Sequence, residues 1–539
     1  TPNLSSQVKT LLEDPDRRVR VEAVHYLCYR SAISKSMLKK FQKDADIAIQ
    51  TAACSALFRR KNGSAYERLA DLLETAASTS DTVALEEIAH VLRYIRVSTA
   101  HTPLYRRLLT MSLNSVQKSA LESIAVTQPI DILPDLMKLS AKESLQEQLQ
   151  TTLAGYGSKL LPFVTNMLED KNSPVADKKL VLRAAAEAEG ALSIDFLLRF
   201  ARSADLRIRF AAIKSMNRLR QKGYLPSGNA GLMPLVEEEL QSLESEIGRA
   251  HTLSVSDDCL LGWLLQERVE WGIERIFRLL GLVYDWDFIH TIYRGLESPD
   301  HERRDAALDL LENTLDPELN DRIVTLLRRF TSSDPVAPNA EGQETVVESL
   351  LGEDDPILNA ATVQWLKPDE LKRYLTTTDL LLRHDSVLQE TISWRLQTVD
   401  KKENGLTTIQ KMEALSRLDV FAESGSQELL VLANHAEQVF FERNEQIFDK
   451  GGEADAFYGL IEGQVKLSTA DKVETIKPGE SFGIAEILAN RQRVFSAHAV
   501  QKCVCLRIAA DVLREVIEES TAVSRGIMEL LARRLLDRS

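Results

Sequence analysis

The sequence predicts an α-solenoid of paired helices over roughly its first 400 residues, followed by a smaller α+β domain built on a β-jelly roll. Three observations carry this. The starters Val19, Ile49, Leu85, Val116, Leu145, Leu180 and Ile208 recur every 28 to 36 residues, the drifting period of a helical repeat with variable loops. Small residues follow four places later and Leu at helical spacing after that, which is a helix pattern. From about residue 405 the pattern changes to short runs of β-branched and aromatic residues punctuated by Gly or Asn, read as strands and tight turns.

Within the array, compare LLEDPDRRVRVEAVHYL (11–27), KDADIAIQTAACSAL (43–57), SLNSVQKSALESI (112–124), SADLRIRFAAIKSMNRL (203–219) and SPDHERRDAALDLL (298–311). Asp or Ser, with Pro in the turn, caps and starts the second helix of each pair. Ala23, Ala53, Ala120, Ala212, Ala307 and Ala361 let helices approach closely. One such hairpin cannot bury its own apolar face, whereas stacked neighbours can. Between about 220 and 297 the period lapses into longer amphipathic helices, read as an enlarged helical pair. TSSDPVAPNAEGQET (331–345) reads as an exposed loop. His25 and His90 read as packing or surface residues, and Trp263, Trp271 and Trp286 as core residues of the long pair.

These units resemble HEAT repeats, most closely where LLEDPDRRVRVEAV and SADLRIRFAAIKSM carry the turn Asp, the Val/Ile-Arg pair and the following Ala. The resemblance implies an array that binds a protein partner.

Composition narrows the function classes. The chain has 539 residues, too many for one compact core. It is 44% hydrophobic, 27% charged and only 6% aromatic, as expected of Leu and Ala seams. A net charge of -14 argues against general affinity for a nucleic-acid backbone. Cys28, Cys54, Cys259, Cys503 and Cys505 are odd in number and scattered, which fits a reducing compartment and buried packing. Cys503 and Cys505 share a strand face, but no second pair has zinc spacing, so no metal is assigned. No apolar run spans a bilayer and no signal peptide is evident. A cytoplasmic location is expected, or the cytoplasmic part of a membrane protein. The chain starts at Thr1 rather than Met, which hints at processing or a longer parent. No GxSxG, HExxH or GxxxxGK[ST] spacing occurs, so no catalytic residues are assigned and the chain reads as non-enzymatic.

The C-terminal part, 401–539, opens with helix, turn and helix in MEALSRLDVFAESGSQELLVLANHAEQVFF. It continues as strands through ERNEQIFDKGGEADAFYGLIEGQVKLSTADKVETIKPGESFG and ends in the helical ADVLREVIEESTAVSRGIMELLARRLLDRS. This order resembles the cyclic nucleotide-binding domain over about 409–539. The resemblance rests on VFAESGSQELLVLA, on FDKGGEADAFYGLIEGQVKL with Gly451, Asp455, Tyr458 and Gly463, on PGESFG with Gly479 and Gly483, and on Arg493. Asn444 stands where the family commonly has Gly, an exchange the left-handed region tolerates.

The resemblance implies a cyclic AMP or cyclic GMP ligand and no other cofactor. It places the ligand loop at SFGIAEILANRQRVFSA, with Phe482, Gly483, Ile484, Ala485, Glu486, Arg493 and Val494 as site residues. A cyclic phosphodiester suits backbone N–H groups plus one guanidinium, which Gly483, Ala485 and Arg493 would supply. The family's carboxylate, directly after the Gly, accepts from the ribose 2'-hydroxyl, and Ile484 stands in its place. A second register, matching Ser496 and Ala497 to the small pair after the family's Arg, puts Glu486 at the carboxylate and Phe495 at the Arg. One of the two partners is missing in either register, so the pocket is expected to be weak, retuned or a folded remnant.

An array followed by this domain also resembles the soluble portion of some bacterial transporters related to nucleotide translocases. That resemblance implies a membrane-transporter domain or another protein as partner. With no winged helix after LARRLLDRS, DNA binding is not expected. The expected function is a non-enzymatic, cyclic-nucleotide-responsive sensor or scaffold. The alternative is a structural interaction module with a degenerate pocket.

Overall fold

The computed structural model describes residues 4–30, 33–59, 64–94, 102–170, 172–188, 194–223, 232–256, 259–298, 300–331, 340–396, 405–422, 424–469 and 473–536. Two compact units emerge, Thr1–Leu235 with Gly281–Trp286, and Val236–Leu280 with Asp287–Ser539. No described helix is long and apolar enough to cross a membrane.

In the first unit the repeat starters open or run into helices Arg17–Tyr29, Ile47–Arg59, Thr82–Val91, Asn114–Thr127, Glu143–Ala154, Val175–Glu187 and Leu206–Gln221. Each of these packs against the next in the series. The turn aspartates act as the sequence suggests: Asp16 accepts from the Arg18 N–H at 2.8 Å, Asp205 from Arg207 at 2.9 Å and Asp81 from Ala84 at 3.1 Å. Ala23, Ala53, Ala120 and Ala212 are buried between neighbouring helices. Of the starters, Val19 and Leu180 are half-buried and the other five are buried; beside Leu180 it is Val181 and Leu182 that fill the core. Arg17 staples the turns of three successive units, reaching Asp46 at 2.6 Å and Asp81 at 2.6 Å. His25 pairs with buried Glu87 and its ring lies 5.0 Å from that of His90, a packing role.

The enlarged helices are Met233–Leu253 and Leu260–Val283, followed by Trp286–Leu296. Trp263, Trp271 and Trp286 are half-buried, and Trp263 packs against the apolar core of the second unit. Within the second unit Arg275 donates to Glu239 at 2.8 Å with both side chains enclosed. The loop expected at 331–345 is corrected. Thr331 closes helix Pro317–Thr331, and 340–345 begin helix Ala340–Gly352, while 332–339 lie outside the described residues. Val347, Leu350 and Leu351 are buried at helical spacing, and that burial outweighs the cost of one glycine in the first turns.

One apolar core runs through both sides of the expected 400/401 junction. It unites Leu260, Leu264, Leu358, Leu388 and Ile392 with Ile409, Met412, Phe421, Leu429, Phe457, Ile508 and Val523. The compact division therefore falls at a different place from the change in sequence pattern; 397–404 lie outside the described residues.

Among its described residues the C-terminal part carries eight strands: β1 Glu437–Phe441, β2 Gln446–Phe448, β3 Ala456–Glu462, β4 Val465–Ser468, β5 Val473–Ile476, β6 Ser481–Phe482, β7 Ser496–Ala499 and β8 Cys503–Ala509. They form two four-stranded sheets, ordered β1-β8-β3-β6 and β2-β7-β4-β5, with every pair antiparallel. The sheets share an inner core of Ala456, Tyr458, Leu460, Val465, Leu467, Phe482, Ala497, Cys503 and Cys505. Strand alternation sends Phe457 and Ile508 to the opposite face, into the helical core. Cys503 and Cys505 thus do share a face, and burial pushes the Cys505 thiol up to about 12, which leaves it unreactive.

Candidate functional site

The loop between β6 and β7 begins at Gly483, whose φ of +84° turns the chain into the five-residue helix Ile484–Leu488. A Cβ there would stand 2.6 Å from Arg493 Nη1, so the left-handed turn and the approach of the guanidinium both require glycine. Arg493 is pinned by its backbone as well. Its N–H donates to the Gly452 carbonyl at 2.9 Å, and its carbonyl accepts from the Gly451 N–H at 2.8 Å. The KGG turn after β2 therefore positions the arginine that comes some forty residues later in the chain.

The guanidinium itself is enclosed, with 0% of the side chain exposed. Nη1 donates to the Gly483 carbonyl at 2.9 Å and Nη2 to the Ala456 carbonyl. The plane lies over the Phe448 ring at 4.2 Å, a cation–π contact. Asp455 comes within 3.7 Å and Glu486 within 4.0 Å. Burial pulls the Arg493 pKa below its ordinary value, with the charge of Glu486 opposing that shift. Nε is buried with no hydrogen-bond partner among the described residues. An anion can reach this group only by displacing contacts the domain already makes.

The side chains expected at the site divide. Arg493 and Glu486 face each other, Gly483 abuts the guanidinium, and Phe482 stacks on Tyr458 at 5.3 Å inside the sheets. Ala485 and Val494 are exposed at the loop surface. Ile484 does not face Arg493. It is fully buried in the helical core with Phe421, Phe457 and Ile508. Of the two carboxylates near the guanidinium, Asp455 is exposed and Glu486 is the buried one, which also accepts from the Val494 N–H at 3.5 Å. Positions two apart on a short helix point to opposed sides, and the turn at Gly483 aims the first of them inward to the helices. The register that moves the arginine role to Phe495 is likewise corrected, because Phe495 packs against the inner core while Arg493 occupies the loop. Sequence reading missed Phe448 and the Ala456 carbonyl; the aromatic at the end of β2, just before KGG, was the available signal.

Comparison with known proteins decides the class of this domain. Residues 438–520 match the cyclic nucleotide-binding domain family. They form a cyclic nucleotide-binding domain. The segment is 27% identical over 129 residues to a CRP-like cAMP-activated global transcriptional regulator of Mycobacterium tuberculosis. That match covers 23% of this chain and 58% of the relative, so the two share only part of their lengths. Among solved structures, the Thermus thermophilus catabolite activator protein is 26% identical, covering 22% of this chain and 59% of that one, with a TM-score of 0.21. The sensor domain of the regulator DNR from Pseudomonas aeruginosa is 23% identical, covering 23% and 92%, with a TM-score of 0.22. Among the described residues no cluster of His, Cys, Asp or Glu is placed to hold a metal.

Proposed function

We propose that the cyclic nucleotide-binding domain is a regulatory input and that the helical remainder, a HEAT-like α-solenoid, carries the response to a protein partner or a membrane-transporter domain. The chain does this without chemistry of its own. The observation behind this reading is Arg493: an enclosed guanidinium, stacked on Phe448 and held by two backbone carbonyls. A phosphodiester would take it by replacing neutral carbonyl bonds with a charge-assisted pair, and release of those bonds frees β3 and the Gly483 turn together. The relative named as cAMP-activated favours cyclic AMP as the first ligand to test.

Calorimetric titration of the full chain with cyclic AMP and cyclic GMP tests this reading, with Arg493→Gln as the comparison. Binding by wild type that falls by roughly 1.5 to 3 kcal/mol in the variant is expected, the range for a hydrogen bond to a charged group. Equal affinity in both would place the phosphate elsewhere. A second reading is a structural module with a closed pocket, favoured by the full enclosure of Arg493. Absence of binding in wild type and in a variant freed of Glu486 would select it.

A further inference from the structure

A second pair of acidic groups lies where helix Leu260–Val283 meets the cyclic nucleotide-binding domain. Glu267, 8% exposed, accepts at 2.8 Å from the N–H of Ser426, the first residue of helix Ser426–His435. At the preceding Gly425, a Cβ would stand 3.2 Å from a Glu267 oxygen and 2.7 Å from a Glu428 oxygen. The two carboxylates therefore approach within about 6 Å, close enough for one charge to disfavour the other. Glu428 in turn accepts from the Ser520 hydroxyl at 3.4 Å. Ser520 separates helices Ala510–Glu519 and Thr521–Leu536 and takes the Val523 N–H at 3.2 Å.

The titratable groups acting on Glu267 are Glu428 from the domain and Glu270 on its own helix. Among the described residues no cation pairs with either carboxylate, and the adjacent Arg268 is committed to Glu246, Glu353 and Asp355. Burial, reinforced by those two acids and opposed by the hydrogen bonds from Ser426, pushes the Glu267 carboxyl up to about 7.

We propose that Glu267 is a proton-held latch between the long helix and the cyclic nucleotide-binding domain. Protonated, it caps the first turn of Ser426–His435 and sits beside Glu428 without repulsion. Ionised, it faces a second carboxylate in an enclosed site, and the docking of helix on domain loosens. A carboxyl whose folded pKa is raised gives stability that is complete below its unfolded value near 4.5 and is lost as pH rises through about 7. The latch does not depend on whether the pocket takes a nucleotide.

The test follows thermal unfolding of the full chain from about pH 5 to about pH 8.5, together with deuterium exchange over 424–431 corrected for intrinsic rates. Glu267→Gln keeps the accepting oxygen and cannot ionise. It should melt with wild type at the acid end and above it at the alkaline end, and its exchange should lose the several-fold alkaline acceleration of wild type. Glu428→Gln should move the wild-type transition to lower pH. A Glu267→Gln protein that melts below wild type at alkaline pH, or keeps the wild-type slope, overturns the proposal. If that variant does not fold, an unchanged transition in Glu428→Gln overturns it instead.

Discussion

At the residue scale, Ile484 and Glu486 exchange the parts that spacing alone assigns them, while Arg493 keeps its place in the loop. Gly483, Glu486 and Arg493 were legible as a loop because a turn glycine and a guanidinium at fixed separation are chemically conspicuous. Which side chain of Ile484–Leu488 faces inward was not legible, since that depends on the direction in which a φ of +84° launches the helix. Ile484→Glu follows from this as a sharp prediction. It places a carboxylate among Phe421, Phe457 and Ile508, so it should destabilise the domain by on the order of 3 to 5 kcal/mol and not create a ribose contact. Urea unfolding measures the first, and a gain in cyclic-nucleotide affinity would contradict the second.

At the scale of elements, the helices of the N-terminal array were readable because the turns before them do one physical job. Asp at the turn accepts from the first N–H groups of the next helix, and the following Ala lets that helix pack. The burial of Val181 and Leu182 in place of Leu180 and the helix beginning at Ala340 were not readable, because burial decided against the local pattern in both. Arg17 spans several units and was invisible in any one repeat. Arg17→Ala should cost about 1 to 2 kcal/mol, discounted because the site is partly open to solvent. The Arg17 hydrogen bond holds the Asp81 carboxyl below its usual 3.8, so its contribution is present at neutral pH and is lost on acidification through the depressed value. Wild type and Arg17→Ala should therefore converge in stability as the pH falls below about 3.8; a constant difference would contradict this.

At the scale of the whole molecule, the shift in sequence pattern near residue 400 marks where the helical array gives way to two short helices and then strands, but not where burial ends. Ile409, Met412 and Leu415 are fully enclosed in a core that also contains Leu358, Leu388 and Ile392. A fragment starting at 405 should expose them, with each large side chain worth about 1.5 to 3 kcal/mol. It should melt below the same domain in the full chain and bind a hydrophobic dye, and equal melting would show that the shared core adds nothing. The central claim is that Arg493 is held in the domain's own contacts with Glu486 as the opposing charge, and that ligand phosphate must compete for it. Titration of cyclic AMP into the full-length wild type and Glu486→Gln tests this most directly. Removing the competing carboxylate is expected to tighten binding roughly tenfold, about 1.4 kcal/mol, whereas weaker binding by Glu486→Gln would make Glu486 a ligand contact and contradict the account.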